Sequence, residues 1–190
     1  MCETEEIKTI FLGDSGVGKT SIINTKCCDR FDSDLPPTVG SSSLSLTLPY
    51  EGTNVRLKLW DTAGQEQYSS LIPMFSRDSI VAVFVADITN SVSIQNLEKW
   101  KKLLRDTGET PSIILAINKI DRSDDYVMPF EDLNEELSED FQNIVFVSAL
   151  TGEGIDDLFK LIAREAKNHK SAVGGKKLDV TTNEKKHCCK

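Results

Sequence analysis

The sequence predicts an α/β layered domain built on a six-stranded, mostly parallel sheet with one antiparallel edge strand and flanking helices. Strand-length apolar runs alternate with segments of helical apolar period up to about residue 168, the order that packs helices against a parallel sheet. Two of those runs, Ile80 to Ala86 and Ile113 to Ile117, are apolar without a break, as strands covered on both faces are. A single turn-rich hairpin signal, Pro49-Tyr50-Glu51-Gly52-Thr53-Asn54, supplies the antiparallel edge.

Taken in order, Ile7 to Leu12 reads as the first buried strand and Lys19 to Cys28 as the helix after it. Leu44 to Leu48 and Val55 to Trp60 are the two arms of the hairpin. After the cap-rich Thr89-Asn90-Ser91, the 3/4 spacing of Leu97, Trp100 and Leu104 predicts one amphipathic helix. Leu133 and Leu137 give the acidic stretch Glu131 to Asp140 a helical reading. Asn143 to Ser148 is the last strand, and Ile155, Leu158, Phe159, Ile162 and Ala166 place the last helix after Gly152-Glu153-Gly154. Three regions follow: an N-terminal extension at 1–6, the folded domain at 7–168 and a disordered basic tail at 169–190.

Bulk properties narrow the function. A chain of 190 residues suits one domain. No apolar run is long enough to span a bilayer, and the acidic start Met1 to Glu6 is expected not to be a secretory signal. Cys2 in place of Gly excludes the usual myristoylation motif. The net charge of −8 divides into +5 over residues 164–190 and −13 over the rest. So acidic a body is a poor binder of nucleic acid, whereas the basic tail suits an acidic lipid surface. Five cysteines, at 2, 27, 28, 188 and 189, form no regular disulfide framework, so a reducing compartment is expected. Cys27 and Cys28 are read as structural.

Gly13-Asp14-Ser15-Gly16-Val17-Gly18-Lys19-Thr20 matches G-x-x-x-x-G-K-[ST] between a predicted strand and a predicted helix. Its glycines let successive N–H groups aim at phosphate oxygens, and the helix N-terminus adds positive potential from Thr20 and Ser21 onward. Lys19 brings a point charge to the phosphates, and Thr20 a hydroxyl for magnesium. This pattern alone does not separate ATP from GTP.

Asn118-Lys119-Ile120-Asp121 follows the strand Ile113–Ile117, at an edge where α/β sheets bind ligands. It is N-K-x-D, and with it the chain resembles the Ras-like small GTPases. The resemblance implies that Asp121 accepts from guanine N1–H and the exocyclic amine, a pairing adenine cannot make. Asn118 would bond the base and brace the phosphate loop, and the Lys119 stem would lie along the purine. Leaving the Asp121 carboxylate buried and unpaired would penalise adenine. Ser148-Ala149-Leu150 is similar to the family's S-A-K, with Leu150 in place of Lys; the Ala149 N–H would meet the guanine carbonyl. Phe31 matches the aromatic that stacks on the base.

The same resemblance assigns the switches. In Asp61-Thr62-Ala63-Gly64-Gln65, Asp61 would hold magnesium through a water, Gly64 would offer its N–H to the γ-phosphate, and Gln65 would orient the attacking water. Thr38 would ligate magnesium and sense the γ-phosphate. With no arginine supplied in cis, intrinsic hydrolysis in such proteins is on the order of 10⁻⁴ to 10⁻³ per second, and a partner's arginine accelerates it about 10³–10⁵-fold.

Trp60 to Glu66 with Tyr68, and Ala86-Asp87-Ile88-Thr89-Asn90, look like the Rab family, and the run Tyr68 to Arg77 is similar to its endosomal branch. Ser41-Ser42-Ser43 stand where Rabs carry a Phe that joins residues corresponding to Trp60 and Tyr68 in an effector-reading triad. Cys188-Cys189 resembles a double-geranylgeranylation signal, and two lipid chains beside basic residues anchor stably where one does not. The resemblance therefore implies a switch in vesicle traffic on the cytoplasmic face of intracellular membranes, with a cytosolic pool. Its implied ligands are GTP, GDP and Mg2+. Its implied partners are an exchange factor, a GTPase-activating protein, effectors, and prenyl-delivery and GDP-dissociation-inhibitor machinery. The competing reading is a nucleotide-stabilised binding scaffold with little GTP turnover.

Overall fold

The structure is a computed structural model that describes residues 6–28, 31–32, 36, 38, 40–62 and 71–174. Its strands are β1 (Ile7–Leu12), β2 (Ser41–Tyr50), β3 (Thr53–Thr62), β4 (Val81–Asp87), β5 (Ser112–Asn118) and β6 (Ile144–Phe146). Its helices are α1 (Lys19–Cys28), α2 (Ile72–Ser76), α3 (Ser91–Gln95), α4 (Leu97–Asp106), α5 (Phe130–Ser138) and α6 (Ile155–Gly174). The strands form one sheet in the order β2-β3-β1-β4-β5-β6. All neighbours run parallel except the β2–β3 hairpin, as the sequence predicts.

Alternation along the strands divides the interior into two cores, because successive side chains point to opposite faces. Phe11, Val83 and Val85 face α1 and α6, where they meet Ile22, Ile23, Leu158, Phe159 and Ile162. Ile10, Leu12, Ala82, Phe84 and Ala86 face α4 and α5, where they meet Leu97, Trp100, Leu104, Leu133 and Leu137. A fully buried Val, Leu, Ile or Phe among them contributes about 1.5–3 kcal/mol.

Four elements differ from the sequence expectation. β2 begins at Ser41 rather than Leu44, because the β3 ladder continues and pairs Ser41, Ser42 and Ser43 with Thr62, Asp61 and Trp60. Pairing there overrides the weak strand preference of serine. The hairpin turn narrows to Glu51-Gly52, with φ of 45° and 72°, the left-handed pair of a tight two-residue turn. The helix after residue 90 is divided at Asn96 into α3 and α4, with Asn90 Oδ1 capping Val92 N at 3.0 Å. Finally, α6 runs on to Gly174, six residues past the point where apolar periodicity stops. Helix α2, with Pro73 in its first turn, has no apolar period long enough to announce it.

Candidate functional site

Four parallel strands end on the same edge of the sheet, beside a cavity of about 410 Å³. β1 leads into the loop Gly13–Gly18. β3 ends on Asp61 and Thr62, β5 on Asn118, and the segment after β6 carries Ser148 to Leu150.

The loop after β1 closes around its own lysine. Lys19 Nζ donates to Gly13 O and Asp14 O, each at 2.8 Å. Burial pulls this ammonium down to about 8, against the opposing effect of the Asp61 and Asp14 carboxylates. Two glycines permit the close approach. A Cβ on Gly13 would lie 2.2 Å from Val85 O, and one on Gly18 would lie 2.2 Å from Asn118 Nδ2. Ser15, Gly16, Gly18, Lys19, Thr20 and Ser21 line the cavity. Gly13, Asp14 and Val17 stand behind it: the Val17 side chain is buried in the first core, and the Asp14 carboxylate points to α4.

At one end of the cavity three oxygens converge. Thr20 Oγ1 donates to Asp61 Oδ2 at 2.7 Å. Thr38 Oγ1 lies 2.9 Å from Thr20 Oγ1 and 3.2 Å from Asp61 Oδ2. Burial raises the Asp61 carboxyl, although the Thr20 hydrogen bond and Lys19 pull it the other way. Its other oxygen, Oδ1, is buried with no hydrogen-bond partner among the described residues. Hard oxygens, one carboxylate and an unsatisfied buried acceptor fit magnesium, which takes one or two carboxylates and completes its shell with phosphate and water.

At the other end Asn118 is a buried tie. Its Nδ2 donates to Val17 O at 2.8 Å, and its Oδ1 accepts from Ala149 N at 3.1 Å. The Ala149 N–H, which the resemblance assigns to a guanine carbonyl, is thus engaged by Asn118. Lys119 adopts a left-handed backbone, φ 70°, and its Nζ pairs with Asp87 Oδ2 at 2.6 Å. Ser148 Oγ donates to Asp121 Oδ1 and accepts from Thr151 N at 3.1 Å. Asp121 itself is exposed at the mouth rather than buried, so the penalty against adenine would arise only once a base covers the carboxylate. Phe31 and Leu150 line the rim and are 37% and 55% exposed.

Sequence reasoning missed several contributors. Asp87 was legible only as part of a family signature, yet its carboxylate also accepts from Thr89 N and Thr89 Oγ1 at 2.9 and 2.7 Å, which leaves it aimed at Lys119. Asp32, Pro36, Thr62 and Arg122 also line the cavity. Gly64, Gln65, Tyr68, Cys188 and Cys189 lie outside the described residues. Cys27 packs against the first core, whereas Cys28 is exposed, so only the former fits the structural reading.

Known proteins resemble this chain over most of its length. The Ras family model matches residues 8–168. The Ras-related protein Rab-31 of rat and of mouse is 40% identical over 167 residues, covering 87% of this chain and 85% of each relative. Human Rab-31 matches with the same identity and coverage. A resemblance first carried by Gly13–Thr20 and Asn118–Asp121 thus extends over residues 8–168, and the chain belongs to the Rab branch of the Ras family of small GTPases, enzymes that bind and hydrolyse GTP.

Proposed function

We propose that this chain is a membrane-anchored GTP/GDP switch in vesicle traffic, with an intrinsic turnover slow enough to act as a timer. The observation that carries the reading is the division of one cavity into two ends. Thr20, Thr38 and Asp61 gather at one, Asn118 and Asp121 at the other, and Lys19 with the Gly13–Gly18 loop lies between. A phosphate chain fits the loop, and a guanine fits the Asp121 end.

The residues then have distinct tasks. Lys19 exchanges its two carbonyl partners for phosphate oxygens. Thr20, Thr38 and Asp61 would hold a magnesium ion, which neutralises charge on the β and γ phosphates. Asp121, steadied by Ser148, reads the base, while Asn118 fixes the distance between base loop and phosphate loop. Gln65 orients the attacking water and Gly64 senses the γ-phosphate. Loss of that phosphate releases Thr38, an order-to-disorder change that partners read. Cys188 and Cys189 carry prenyl groups that hold the protein on the cytoplasmic face of an endosomal or related membrane. An exchange factor, an activating protein, effectors and prenyl-delivery machinery complete the cycle.

Purified protein loaded with fluorescent GDP tests the reading. It should retain the nucleotide with magnesium, release it faster in EDTA, and prefer guanine to adenine nucleotides. Single-turnover GTP hydrolysis should lie on the order of 10⁻⁴ to 10⁻³ per second. Turnover near 1 per second without a partner would refute the timer, and equal binding of ATP would refute the base assignment.

A further inference from the structure

Asp14 places a carboxylate in a loop that must receive phosphate, which is electrostatically unfavourable unless the charge is kept away. The structure keeps it away with two neutral donors. Asn96 Nδ2 donates to Asp14 Oδ2 at 2.7 Å, and Trp100 Nε1 donates to Asp14 Oδ1 at 2.8 Å. Trp100 is 3% exposed. Asn96 stands at the junction of α3 and α4, where its side chain caps neither backbone end and its amide is turned to the loop. Residue 14 thereby faces two ways, its carbonyl bonded to Lys19 Nζ and its carboxylate to the indole.

We propose that Asn96 and Trp100 are positioning residues for nucleotide binding, which act by holding the Asp14 negative charge outside the phosphate cradle. This rests on reading the cavity as the guanine-nucleotide site. Without the two donors, the carboxylate is free to turn towards Lys19, the cation meant for phosphate. It then competes with the ligand and repels it. The donors are neutral, so they orient the charge without cancelling it; orientation is their whole contribution.

The test is a double-mutant cycle on the full chain, read as release of fluorescent GDP. Trp100→Phe and Asn96→Ala should each speed release about tenfold or more, as losing one hydrogen bond to a charged group implies. In an Asp14→Ala background the same substitutions should change release by less than about twofold, the limit of independent behaviour. Equal acceleration in both backgrounds would mean that Trp100 and Asn96 only pack, and would overturn the proposal. If Trp100→Phe fails to fold, the Asn96→Ala arm decides alone, since it removes little buried volume. A wild-type chain that binds no guanine nucleotide would overturn the site reading and this proposal together. Binding by the wild-type chain with no coupling between Asp14 and the two donors in the cycle would overturn the proposal alone.

Discussion

Asn118→Ala strikes the tie that joins the two ends of the cavity. Asn118 is 1% exposed, and its amide satisfies Val17 O on the phosphate loop and Ala149 N on the base loop. Truncation removes both bonds and leaves a buried acceptor and a buried donor unpaired. Each orphaned group costs about 1–3 kcal/mol, less where water enters the space left by the amide, so a total of about 2–4 kcal/mol is expected. Expressed in binding, that is roughly 30-fold to 1,000-fold faster release of GDP. Expressed in the nucleotide-free protein, it lowers the unfolding midpoint by about 4–16 °C for a chain of this size. Release of fluorescent GDP into excess unlabelled nucleotide with magnesium, together with thermal unfolding, measures both. Release within about threefold of wild type, which is under 1 kcal/mol, would refute the claim that Asn118 fixes the spacing of the two loops.

Asp121→Asn should move preference from GTP towards xanthosine triphosphate, since the acceptor for the exocyclic amine becomes an NH2 donor that suits the carbonyl xanthine carries there, while one oxygen still accepts from N1–H; unchanged competition by GTP would remove Asp121 from base reading. Gly18→Ala should abolish measurable GDP binding, because its Cβ would lie 2.2 Å from Asn118 Nδ2 and the φ of 98° is unfavourable for any side chain; GDP titration checks this. Alkylation followed by peptide mass analysis should modify Cys28 severalfold faster than Cys27 near pH 8. The former is exposed, and burial pushes the Cys27 thiol up, so less of it is thiolate at any given pH.

The parts of the fold legible in the sequence are those written in local pattern. β1 and α1 fall at the expected residues, since Ile7–Leu12 and Lys19–Cys28 are bounded by the glycine loop itself. The loop Gly13–Thr20 was legible because glycine spacing carries its own geometry, whereas the bracing role of Asn118 was legible only through the N-K-x-D pattern and the family it resembles. What escaped is written in pairs of residues far apart in the chain. Asp14 with Asn96 and Trp100 spans more than 80 residues, and Asp87 with Lys119 joins two strand ends. Neither pair leaves a periodic trace. The serines of β2 mislead propensity because the partner strand, not their own preference, extends them. The division at Asn96 likewise has no signal in apolar spacing, since Leu97, Trp100 and Leu104 keep their helical period on its C-terminal side.

The register of the sheet has a consequence for how the site tolerates change. Phe11 is level with Asp61, Asp87 with Asn118, and Ile117 with Phe146, so the ladder works as an assembly jig that presents its reactive ends in step. Because side chains alternate along a strand, a slip of one residue between β1 and β3 would turn Asp61 from the Thr20 side of the sheet to the other. No single loop could compensate. Variation that spares the ladder can therefore rework the cavity mouth at Phe31 and Leu150 piece by piece, whereas Asp61 and Asn118 can be moved only by re-registering the strands that carry them.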